Sequence, residues 1–422
     1  MLDIKFIREN PLLIKEAARK KHIQFSVDEL LEVDEKRRAA RAGVEAMRAE
    51  INAASDAIAK ISNETDRTRA IEKTRRFKGD LEEKESELAV LEEKFGALMH
   101  SVPNVPDPSV PDGETDADNQ EIKKWGSPPL FSFKPKDHIT LLKDLDLADF
   151  ERGTKVAGFR GYILKNEAAL LSVALWQFAL QYLLKKGYTP LIVPSLAREE
   201  FLVGTGYLPQ GKDEIYSVGD NVYLVGTAEV SAMGMWKDEV LSAGDLPKKF
   251  VALSPCFRRE VGSHGKEVKG LYRVHEFMKV EQIVLCEASH MTSVTFHEEL
   301  LANSEEMLQA LGLHYRVVVN CGGDLGLGQV KKYDIEVWTP SQKKFGETHS
   351  ASYFHDFQTR RLNIRYRDSE GTMRFAHSLN NTAIATPRIL IGLFEQNQRE
   401  DGSITIPEVL RSFVGKNEIR QG

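Results

Sequence analysis

An alternation of three-residue and four-residue steps between apolar positions is the feature that most constrains this chain. Positions from Leu30 to Ile61 follow the alternation, with Arg37 as a polar exception, and this is the heptad pattern of a helix that packs along a second helix. After the "SNETD" segment a second series occupies Ala70, Thr74, Phe77, Leu81, Lys84, Leu88, Leu91, Phe95 and Leu98. Two such helices joined by a short turn predict an antiparallel coiled-coil hairpin over about residues 28–99.

Charge is segregated along the predicted hairpin. Its tip and the start of the return helix are rich in cations, whereas residues 79–99 are rich in acids. A rigid arm with a basic end suits a nucleic-acid backbone, but a solvated coiled-coil spacer or a protein-docking arm has the same pattern. The candidate cations for binding a polyanion are Lys60, Arg67, Arg69, Lys73, Arg75, Arg76 and Lys78.

A segment rich in proline and acidic residues ends the hairpin. "SVPNVPDPSVPDGETDADNQE" has no apolar period, which predicts an extended linker over residues 103–128. After about Pro129, short β-rich runs such as "NVYLVGT", "KVEQIVLC" and "YDIEVWTP" accompany a long helix near 166–186. We therefore predict an α+β fold, with a two-helix arm within residues 1–102, the linker, and an antiparallel sheet backed by helices in residues 129–422.

Composition limits the location and the cofactors of the protein. The chain has 422 residues and a formal net charge of −6, so attraction to a polyanion has to come from a local basic patch. Cys256, Cys286 and Cys321 stand far apart, so neither a disulfide framework nor a zinc site is expected, and a reducing cytoplasm is the predicted location. The most apolar run, Ala168–Leu184, is shorter than a membrane span of about 20 residues and predicts a buried helix.

Residues 254–282, "SPCFRREVGSHGKEVKGLYRVHEFMKVEQ", combine cations, anions and aromatic rings. "CFRRE" and "YRVHEF" each place the three types within a few residues, and "VGSHGKEVKG" between them predicts a loop that joins two strands. These groups suit a clamp for a polyanion with a flat ring, so a nucleotide is a candidate ligand. A wet surface strand is the alternative, but arginines beside the apolar runs "PCF" and "ILIG" would be buried at a cost unless they met an anion.

Two glycine-bearing segments differ from the common nucleotide-binding loops. "GYLPQGKD" has Asp213 where the phosphate loop needs a hydroxyl, which favours an ordinary turn. "GGDLGLG", residues 322–328, lacks the G-x-G-x-x-G spacing and predicts a flexible loop.

The order of the motifs resembles that of one enzyme family. "GYTPLIVPSL" (187–196) after a long helix, "CFRRE" with "YRVHEF", and Arg388 at the start of "RILIGLFEQNQ" resemble motifs 1, 2 and 3 of the class II aminoacyl-tRNA synthetases. With the basic hairpin, "GTAEVS" (226–231), "YDIEVWTPSQKKFGETHSAS" (333–352) and "SLNNTAIA" (378–385), the chain resembles the bacterial seryl-tRNA synthetases over essentially its whole length. The resemblance implies ATP-dependent attachment of L-serine to tRNA(Ser) through a seryl-adenylate, with tRNA(Sec) as a further acceptor where it is present.

The resemblance also implies roles for individual residues. Arg258 and Arg388 are the expected catalytic residues: Arg258 bridges the α-phosphate and the serine carboxylate, and Arg388 covers adenine on the side away from Phe277. Glu260 accepts a hydrogen bond from the adenine amino group, and Arg273 with the lysines of the adjoining loop reaches the outer phosphates. The expected serine-binding residues are Thr227, Ala228, Glu229, Arg258, Glu281, Asn380 and Thr382. The expected ATP-binding residues are Arg258, Arg259, Glu260, Arg273, Val274, Phe277, Glu347, Thr348, His349, Ser350 and Arg388.

Metal, tRNA and subunit partners follow from the same resemblance. Glu347 and Ser350 match the family's E-x-x-S and are expected to hold Mg²⁺ together with ATP. The basic residues of the hairpin tip become the expected contacts for tRNA(Ser) with its long variable arm. Motif 1 implies a homodimer, and no membrane partner is expected.

Two stretches depart from the usual family pattern, and two other functions stay open. Many bacterial relatives have E-I-S-S-C-S where this chain has "ETHSAS", and "NNTAIATPR" has Asn381, Ala383 and Pro387 where motif 3 commonly has glycine. One alternative is a paralogue that adenylates serine or another small amino acid for an acceptor other than tRNA. The other is a non-catalytic coiled-coil interaction protein. The long hairpin disfavours the first, and motifs 2 and 3 disfavour the second.

Overall fold

The computed structural model describes residues 1–261 and 270–421. The lysines of the loop predicted between "CFRRE" and "YRVHEF", Lys266 and Lys269, therefore lie outside the described residues. The chain divides into two compact units, named here by their main content. The arm unit is Leu2–Arg19 with Ile23–Pro103, and the body unit is Met1, Lys20–His22 and Asn104–Gly422.

Helices and strands alternate irregularly along the described residues. The helices are α1 (Ile4–Glu9), α2 (Pro11–Lys20), α3 (Val27–Ile58), α4 (Glu64–Ser101), α5 (His138–Asp144), α6 (Phe150–Ala157), α7 (Asn166–Lys185), α8 (Glu199–Thr205), α9 (Glu229–Gly234), α10 (His290–Ala310), α11 (Phe357–Leu362), α12 (Arg388–Gln396) and α13 (Glu408–Val414). The strands are β1 (Gln120–Trp125), β2 (Ala148–Asp149), β3 (Ile163–Leu164), β4 (Thr189–Ile192), β5 (Leu196–Arg198), β6 (Ser217–Gly219), β7 (Val222–Leu224), β8 (Val240–Ser242), β9 (Lys248–Phe257), β10 (Glu276–Cys286), β11 (Tyr315–Val319), β12 (Lys331–Thr339), β13 (Lys344–His355), β14 (Arg365–Arg367), β15 (Met373–Phe375), β16 (His377–Thr386), β17 (Ile404–Thr405) and β18 (Glu418–Ile419).

The arm unit contains the predicted hairpin, formed by the long helices α3 and α4. Ser26 begins α3, and its side chain accepts a hydrogen bond from the Glu29 N–H. Asn63 begins α4, and its side chain accepts hydrogen bonds from the N–H groups of Thr65 and Asp66. Such caps satisfy N–H groups that have no partner within the helix, and they set where each helix starts. The antiparallel pair together with the sheet of the body unit confirms the predicted α+β fold class.

Ion pairs across the hairpin supplement its apolar seam. Arg37 donates to Glu92 at 3.2 Å, and the Arg48 Nε donates to Glu85 at 2.9 Å. Lys84, which was predicted to lie on the seam, is exposed, whereas Glu85 is half-buried. The prediction for Lys84 is wrong: Glu85, four residues after Leu81, occupies the position that faces the partner helix, and it pairs there with Arg48. A helix has 3.6 residues per turn, so positions three and four residues after Leu81 were both candidates for that face.

An eight-stranded sheet is the centre of the body unit, with the order β1-β11-β12-β13-β16-β10-β9-β4. Neighbouring strands are antiparallel except β4 and β9, which are parallel. All residues of β16 are buried, because β13 and β10 pair with its two edges and helices α7, α10, α11 and α12 pack against it. This strand and its neighbours position most of the candidate site.

The predicted linker over 103–128 includes residues that join this sheet. Gln120–Trp125 forms β1 and pairs with β11 at the edge of the sheet. The segment "QEIKKW" has no apolar alternation because all of its side chains except that of Trp125 are exposed. A polar edge strand of this kind resembles a linker in the sequence.

Helix α7, predicted to be buried, is buried on one face only. Leu171, Leu175 and Leu183 lie in the body core, whereas Leu170 and Val173 are exposed. Among the described residues, α7 alone is long and apolar enough to cross a membrane, judged by length and composition. Core helices of soluble proteins also meet that criterion, so it is weak support for a membrane span.

Candidate active site

One cleft in the body unit brings together residues from three strands of the central sheet, β10, β13 and β16, and from helices α8, α9 and α12. The empty space of the cleft, measured out to open solvent, is about 1100 Å³. The predicted residues that line it are Glu229, Arg258, Glu260, Val274, Phe277, Glu281, Glu347, Thr348, Ser350, Asn380, Thr382 and Arg388. The predicted residues outside its lining are Thr227, Ala228, Arg259, Arg273 and His349.

Two arginines provide positive charge in the cleft. Arg258 follows β9, and its guanidinium lies over the Phe277 ring at 5.3 Å from the ring centroid. Arg388 begins α12, and its guanidinium lies 4.5 Å from the centroid of the Tyr272 ring while Nε donates to the Tyr272 carbonyl at 3.0 Å. Arg388 also forms an ion pair with Glu347, with 3.4 Å between Nη1 and Oε2. Aromatic rings and backbone carbonyls thus hold both guanidinium groups in place.

Glu347 on β13 is a carboxylate that faces this cationic pair. Its side chain is about half exposed at the cleft. Burial works to raise the pKa of Glu347, but the nearby cations Arg388, Lys332 and Arg258 outweigh burial and lower the pKa below its usual value. The carboxylate is therefore ionised at neutral pH, and its oxygens are available to a ligand cation.

Glu260 and Arg273 lie where β9 and β10 leave the sheet. The Arg273 Nη1 donates to the Glu260 carboxylate at 3.1 Å, and both residues line a second cavity shared with Arg258, Glu347 and Arg388. Glu260 has a φ of +54°, a conformation that is uncommon for residues other than glycine. Arg259, which lies between Arg258 and Glu260 in the sequence, is exposed.

A group of buried polar side chains forms a distinct part of the cleft. The Thr227 hydroxyl donates to the Glu281 carboxylate at 3.0 Å, and the Lys279 ammonium donates to the same hydroxyl at 2.9 Å. Lys279 also forms an ion pair with Glu281. Thr227 lies behind Lys279 and Glu281, which both line the cleft. The Glu281 carboxylate is therefore held in place by the Thr227 hydroxyl and the Lys279 ammonium before any ligand binds.

Glu229, the second buried carboxylate of the cleft, has a raised pKa. Tyr207 donates to it at 3.0 Å and Gln358 donates to it at 2.5 Å. Burial raises the pKa of Glu229 to about 7, and the nearby Glu281 adds to the increase. A small change in its surroundings, such as the arrival of a cation, therefore determines whether Glu229 is charged.

Ala228 and His349 do not line the cleft: Ala228 packs in the core and His349 makes hydrogen bonds within the sheet. Ala228 is fully buried among apolar side chains. His349 is buried, with its Nε2 3.0 Å from the Ala383 carbonyl and its Nδ1 2.8 Å from the Thr348 hydroxyl. Burial lowers the pKa of His349 to about 4, so the ring is neutral. The histidine in "ETHSAS" is thus accommodated by hydrogen bonds between neighbouring strands.

Sequence reasoning missed several residues of the cleft. Lys279 could have been found, because it lies two positions from both Phe277 and Glu281 on β10 and side chains two apart share a face of a strand. Tyr207 and Gln358, the partners of Glu229, come from distant parts of the chain and left no local signal. Within the segment 322–328, which was predicted to be a flexible loop, Gly326, Leu327 and Gly328 line the cleft together with Gln329, and their backbone carbonyls accept hydrogen bonds.

Comparison with known sequence families connects this cleft to a known class of enzymes. The family described as tRNA synthetase class II core domain (G, H, P, S and T) matches residues 214–397, which contain most of the cleft lining. The family described as seryl-tRNA synthetase N-terminal domain matches residues 1–106. The fold and the cleft therefore define a class II aminoacyl-tRNA synthetase.

Relatives that match along the whole chain narrow this to one family. The chain is 46% identical over 420 residues, 99% of each chain, to the serine–tRNA ligase of Deinococcus radiodurans, and 42% identical over 421 residues to that of Rubrobacter xylanophilus, again 99% of each chain. A crystal structure of seryl-tRNA synthetase from Pyrococcus horikoshii complexed with ATP matches with a TM-score of 0.92 and 40% identity over 100% of both chains. Cytoplasmic serine–tRNA ligase from Naegleria fowleri in complex with AMP matches with a TM-score of 0.87 and 30% identity, covering 100% of this chain and 99% of that one. The chain belongs to the seryl-tRNA synthetase family.

Proposed function

We propose that the cleft carries out both steps of serine–tRNA ligation. In the first step a serine carboxylate oxygen attacks the α-phosphorus of ATP and pyrophosphate leaves. In the second step a hydroxyl of the 3′-terminal ribose of tRNA attacks the seryl carbonyl and AMP leaves. The observation that carries the proposal is the meeting, in one cleft, of two ring-supported arginines with a buried subsite of carboxylates and hydroxyls.

The arginine side of the cleft is the proposed ATP subsite. Arg258 would neutralise the α-phosphate and hold the serine carboxylate, because a planar guanidinium can bind two oxygens at once. Phe277 and Arg388 would cover the two sides of the adenine ring, and Glu260 would accept a hydrogen bond from the adenine amino group. Arg273 would meet the outer phosphates. The negative charge that develops at phosphorus is stabilised by groups already in place, which is the main source of catalysis in such sites. Arg259, Val274, Thr348 and His349 remain part of the proposed ATP-binding set.

The buried polar group is the proposed serine subsite. Glu229 and Glu281 would bind the α-ammonium and accept a hydrogen bond from the serine hydroxyl, with Thr382, Asn380 and Thr227 completing the set and Ala228 shaping it from behind. Alanine in this subsite would leave buried polar groups without partners. A site built to bond a hydroxyl can reject an analogue without it by up to about 10⁴-fold. Threonine differs only by a methyl group, worth about 1–3 kcal/mol, and is the expected main competitor.

Glu347 and Ser350 fit Mg²⁺ bound together with ATP. Both supply oxygen atoms to the cleft, which is the chemistry that Mg²⁺ prefers, and Glu347 is ionised. The described residues contain no group of three or more His, Cys, Asp or Glu side chains that could hold a metal ion. Binding through two protein oxygens plus phosphate oxygens is the usual arrangement for Mg²⁺ in nucleotide sites. When bound, the ion supplies charge neutralisation between the phosphates.

The hairpin of the arm unit is the proposed site for the long variable arm of tRNA(Ser), and of tRNA(Sec) where it is present. Its candidate contacts are all exposed: Lys60, Arg67, Arg69, Lys73, Arg75, Arg76 and Lys78. We retain the proposed division into an arm within 1–102, a connection over 103–128 and a catalytic domain over 129–422. A cytoplasmic location is part of the proposal, supported by three free, buried cysteines.

A homodimer is proposed on the exposed face of α7. Leu170, Val173 and Leu184 are between 43% and 49% exposed, and Ile192 on the edge strand β4 is 91% exposed. Apolar side chains clustered near an open sheet edge are typical of a subunit interface. Val173→Asp should shift the protein to a monomer in sedimentation velocity, whereas Val156→Asp, at a solvent-exposed position on α6, should leave the dimer intact. A wild-type protein that sediments as a monomer would refute the proposal.

Serine-dependent exchange of pyrophosphate into ATP, followed by charging of tRNA(Ser), tests the proposed function. Glu281→Ala should raise the KM for serine far more than the KM for ATP, and it should narrow the preference for serine over alanine. Glu287→Ala, which removes an exposed carboxylate beyond β10, is the matched control. Unchanged serine kinetics in Glu281→Ala, or faster activation of another amino acid by the native protein, would overturn the substrate assignment.

A further inference from the structure

One wall of the cleft consists of a loop that runs from Gly326 to Gln329, named the wall loop below. All of its residues line the cleft. Gln329 closes the loop on itself, because its side-chain oxygen accepts a hydrogen bond from the Gly326 N–H at 2.6 Å. Its side-chain nitrogen donates to the hydroxyl of Ser352 on β13 at 2.8 Å. The position of the wall loop therefore sets the width of the cleft beside β13.

Lys21 holds the wall loop through three backbone carbonyls. Its ammonium donates to the carbonyls of Gly326 at 3.1 Å, Leu327 at 2.9 Å and Gln329 at 2.6 Å. An ammonium has three N–H donors, so these bonds use them all. The side chain is buried, and among the described residues no carboxylate forms an ion pair with it. Burial lowers the pKa of Lys21 well below its usual value. The three carbonyl dipoles therefore stabilise the Lys21 ammonium, and they can do so only when the wall loop keeps this conformation.

Asn104 holds the same loop from another segment. Its backbone N–H donates to the Leu327 carbonyl at 2.9 Å. Its side-chain nitrogen donates to the carbonyls of Gly328 at 3.0 Å and Phe354 at 2.8 Å. Between them, Lys21 and Asn104 bind every carbonyl from Gly326 to Gln329. Neither residue lines the cleft.

Phe357 supports the wall loop from behind and links it to the proposed serine subsite. A Cβ added to Gly328 would lie 2.6 Å from the Phe357 ring, so the loop has no room to move in that direction. A Cβ added to Gly206 would lie 3.2 Å from the same ring. Gly206 precedes Tyr207, which donates to Glu229. The wall loop and Gly206, the residue before the Glu229 partner Tyr207, thus rest against one aromatic ring.

We propose that Lys21 and Asn104 are positioning residues that hold the wall loop at the width required by serine. The proposal rests on the placement of serine beside Glu229 and Glu281 given above. Without the ammonium, three carbonyls each lose a hydrogen bond, the Gln329 carbonyl loses its Lys21 donor altogether, and the loop can move into the cleft. The proposed ATP-subsite residues Arg258, Phe277 and Arg388 lie on other elements, just after β9, on β10 and in α12, so they should keep their geometry.

Lys21→Met in the full chain tests the role of the cation. Its KM for serine in pyrophosphate exchange should increase about tenfold or more, because a displacement of about 1 Å in a site can cost up to about 10²-fold. Its KM for ATP should stay within about twofold of wild type, because Arg258, Phe277 and Arg388 keep their positions. A loss of folded protein would change neither KM, so a selective increase in the serine KM would not come from partial unfolding. Asn104→Ala should likewise raise the KM for serine and leave the KM for ATP within about twofold of wild type. Lys143→Met, which removes an exposed lysine on α5, is the matched control.

A purely structural role for Lys21 gives a different result. In that case Lys21→Met would lower the thermal midpoint and leave the serine KM unchanged, which would overturn the proposal. If Lys21→Met does not fold, Asn104→Ala decides, and an unchanged serine KM in that variant refutes the positioning role. Glu281→Ala separates this proposal from the one on which it rests. Normal serine kinetics in Glu281→Ala would refute the serine placement, whereas a defect there with normal kinetics in Lys21→Met and Asn104→Ala would refute the positioning role alone.

Discussion

Arg258 has the most direct proposed contact with the reacting atoms. Arg258→Ala should reduce adenylate formation by at least about 10²-fold, which is typical of losing one donor to a developing negative charge. Its thermal midpoint should stay near wild type, because Arg258 donates to the protein only weakly, with a 3.4 Å bond to the Gly226 carbonyl. Pyrophosphate exchange and a thermal melt measure the two effects, with the exposed Arg367→Ala as control. Near-normal exchange in Arg258→Ala would place the catalytic charge elsewhere.

Glu229 should make serine binding depend on pH. Its pKa is raised to about 7 by burial, so it is mostly protonated below that pH and ionised above it. Only the ionised form attracts the serine ammonium, so kcat/KM for serine should increase as pH rises from 6 to 8 with a midpoint near 7. In Glu229→Gln, which can keep hydrogen bonds with Tyr207 and Gln358, this step should disappear. A step that persists in Glu229→Gln would belong to another group.

The raised pKa of Glu229 has the opposite consequence for stability. A carboxyl that binds its proton more tightly in the folded chain than in the unfolded chain loses stabilisation as pH rises from its unfolded pKa towards 7. Serine should offset this loss, because its ammonium favours the ionised carboxylate. The increase in thermal midpoint on adding serine should therefore be larger at pH 8 than at pH 6.

At the residue scale, sequence reasoning predicted side chains that belong to contiguous motifs. Arg258, Glu260 and Phe277 stand within short segments that combine charge and aromatic rings, and all three line the cleft. Tyr207 and Gln358 were not predicted, because each is tied to Glu229 only by the tertiary fold. Lys21 had no signal at all, since a lysine near the start of a chain resembles any solvated surface cation.

At the element scale, the tip of the α3–α4 hairpin should bind tRNA through charge. Changing Arg69, Arg75 and Arg76 to glutamate should weaken tRNA binding and reduce its dependence on salt, since each lost phosphate contact removes about 0.9 from the log–log slope for a duplex. Pyrophosphate exchange should not change. A filter-binding titration at several salt concentrations measures the slope.

A variant with the same change in charge elsewhere is the control for this experiment. Lys143, Lys155 and Arg367 are exposed on the body unit, and their replacement by glutamate tests the effect of net charge alone. An equal loss of tRNA affinity in both triple variants would mean that the hairpin tip has no special role.

The elements themselves were predictable where a pattern repeats. The heptad series extends over many turns, so the two long helices were predicted close to their observed ends. β1 was missed because an edge strand with exposed polar side chains lacks alternation. Lys84 was misplaced because the series was continued from Leu81 by a step of three residues, whereas a step of four leads to Glu85 and fits the apolar pattern equally well. The Arg48–Glu85 ion pair joins two helices, so the sequence of one helix alone does not reveal it.

At the scale of the whole molecule, deletion of residues 30–99 should separate the two steps of the reaction. No residue that lines the cleft lies in this range, and both Lys21 and Asn104 remain. Serine-dependent pyrophosphate exchange should therefore stay near wild type, whereas charging of tRNA(Ser) should collapse. A deletion protein that is folded by circular dichroism but loses exchange as fully as charging would show that the hairpin contributes to the cleft.

The complete burial of β16 has a consequence for how the protein loses activity on heating. Amide protons in a strand that is paired on both edges and covered by helices exchange with solvent only when the whole unit opens. Asn380 lies in the part of β16 that pairs with both β10 and β13, so the proposed serine subsite should contain backbone that exchanges slowly. Deuterium uptake at β16 and heat inactivation of serine activation should therefore follow the same temperature curve, while the hairpin takes up deuterium far earlier.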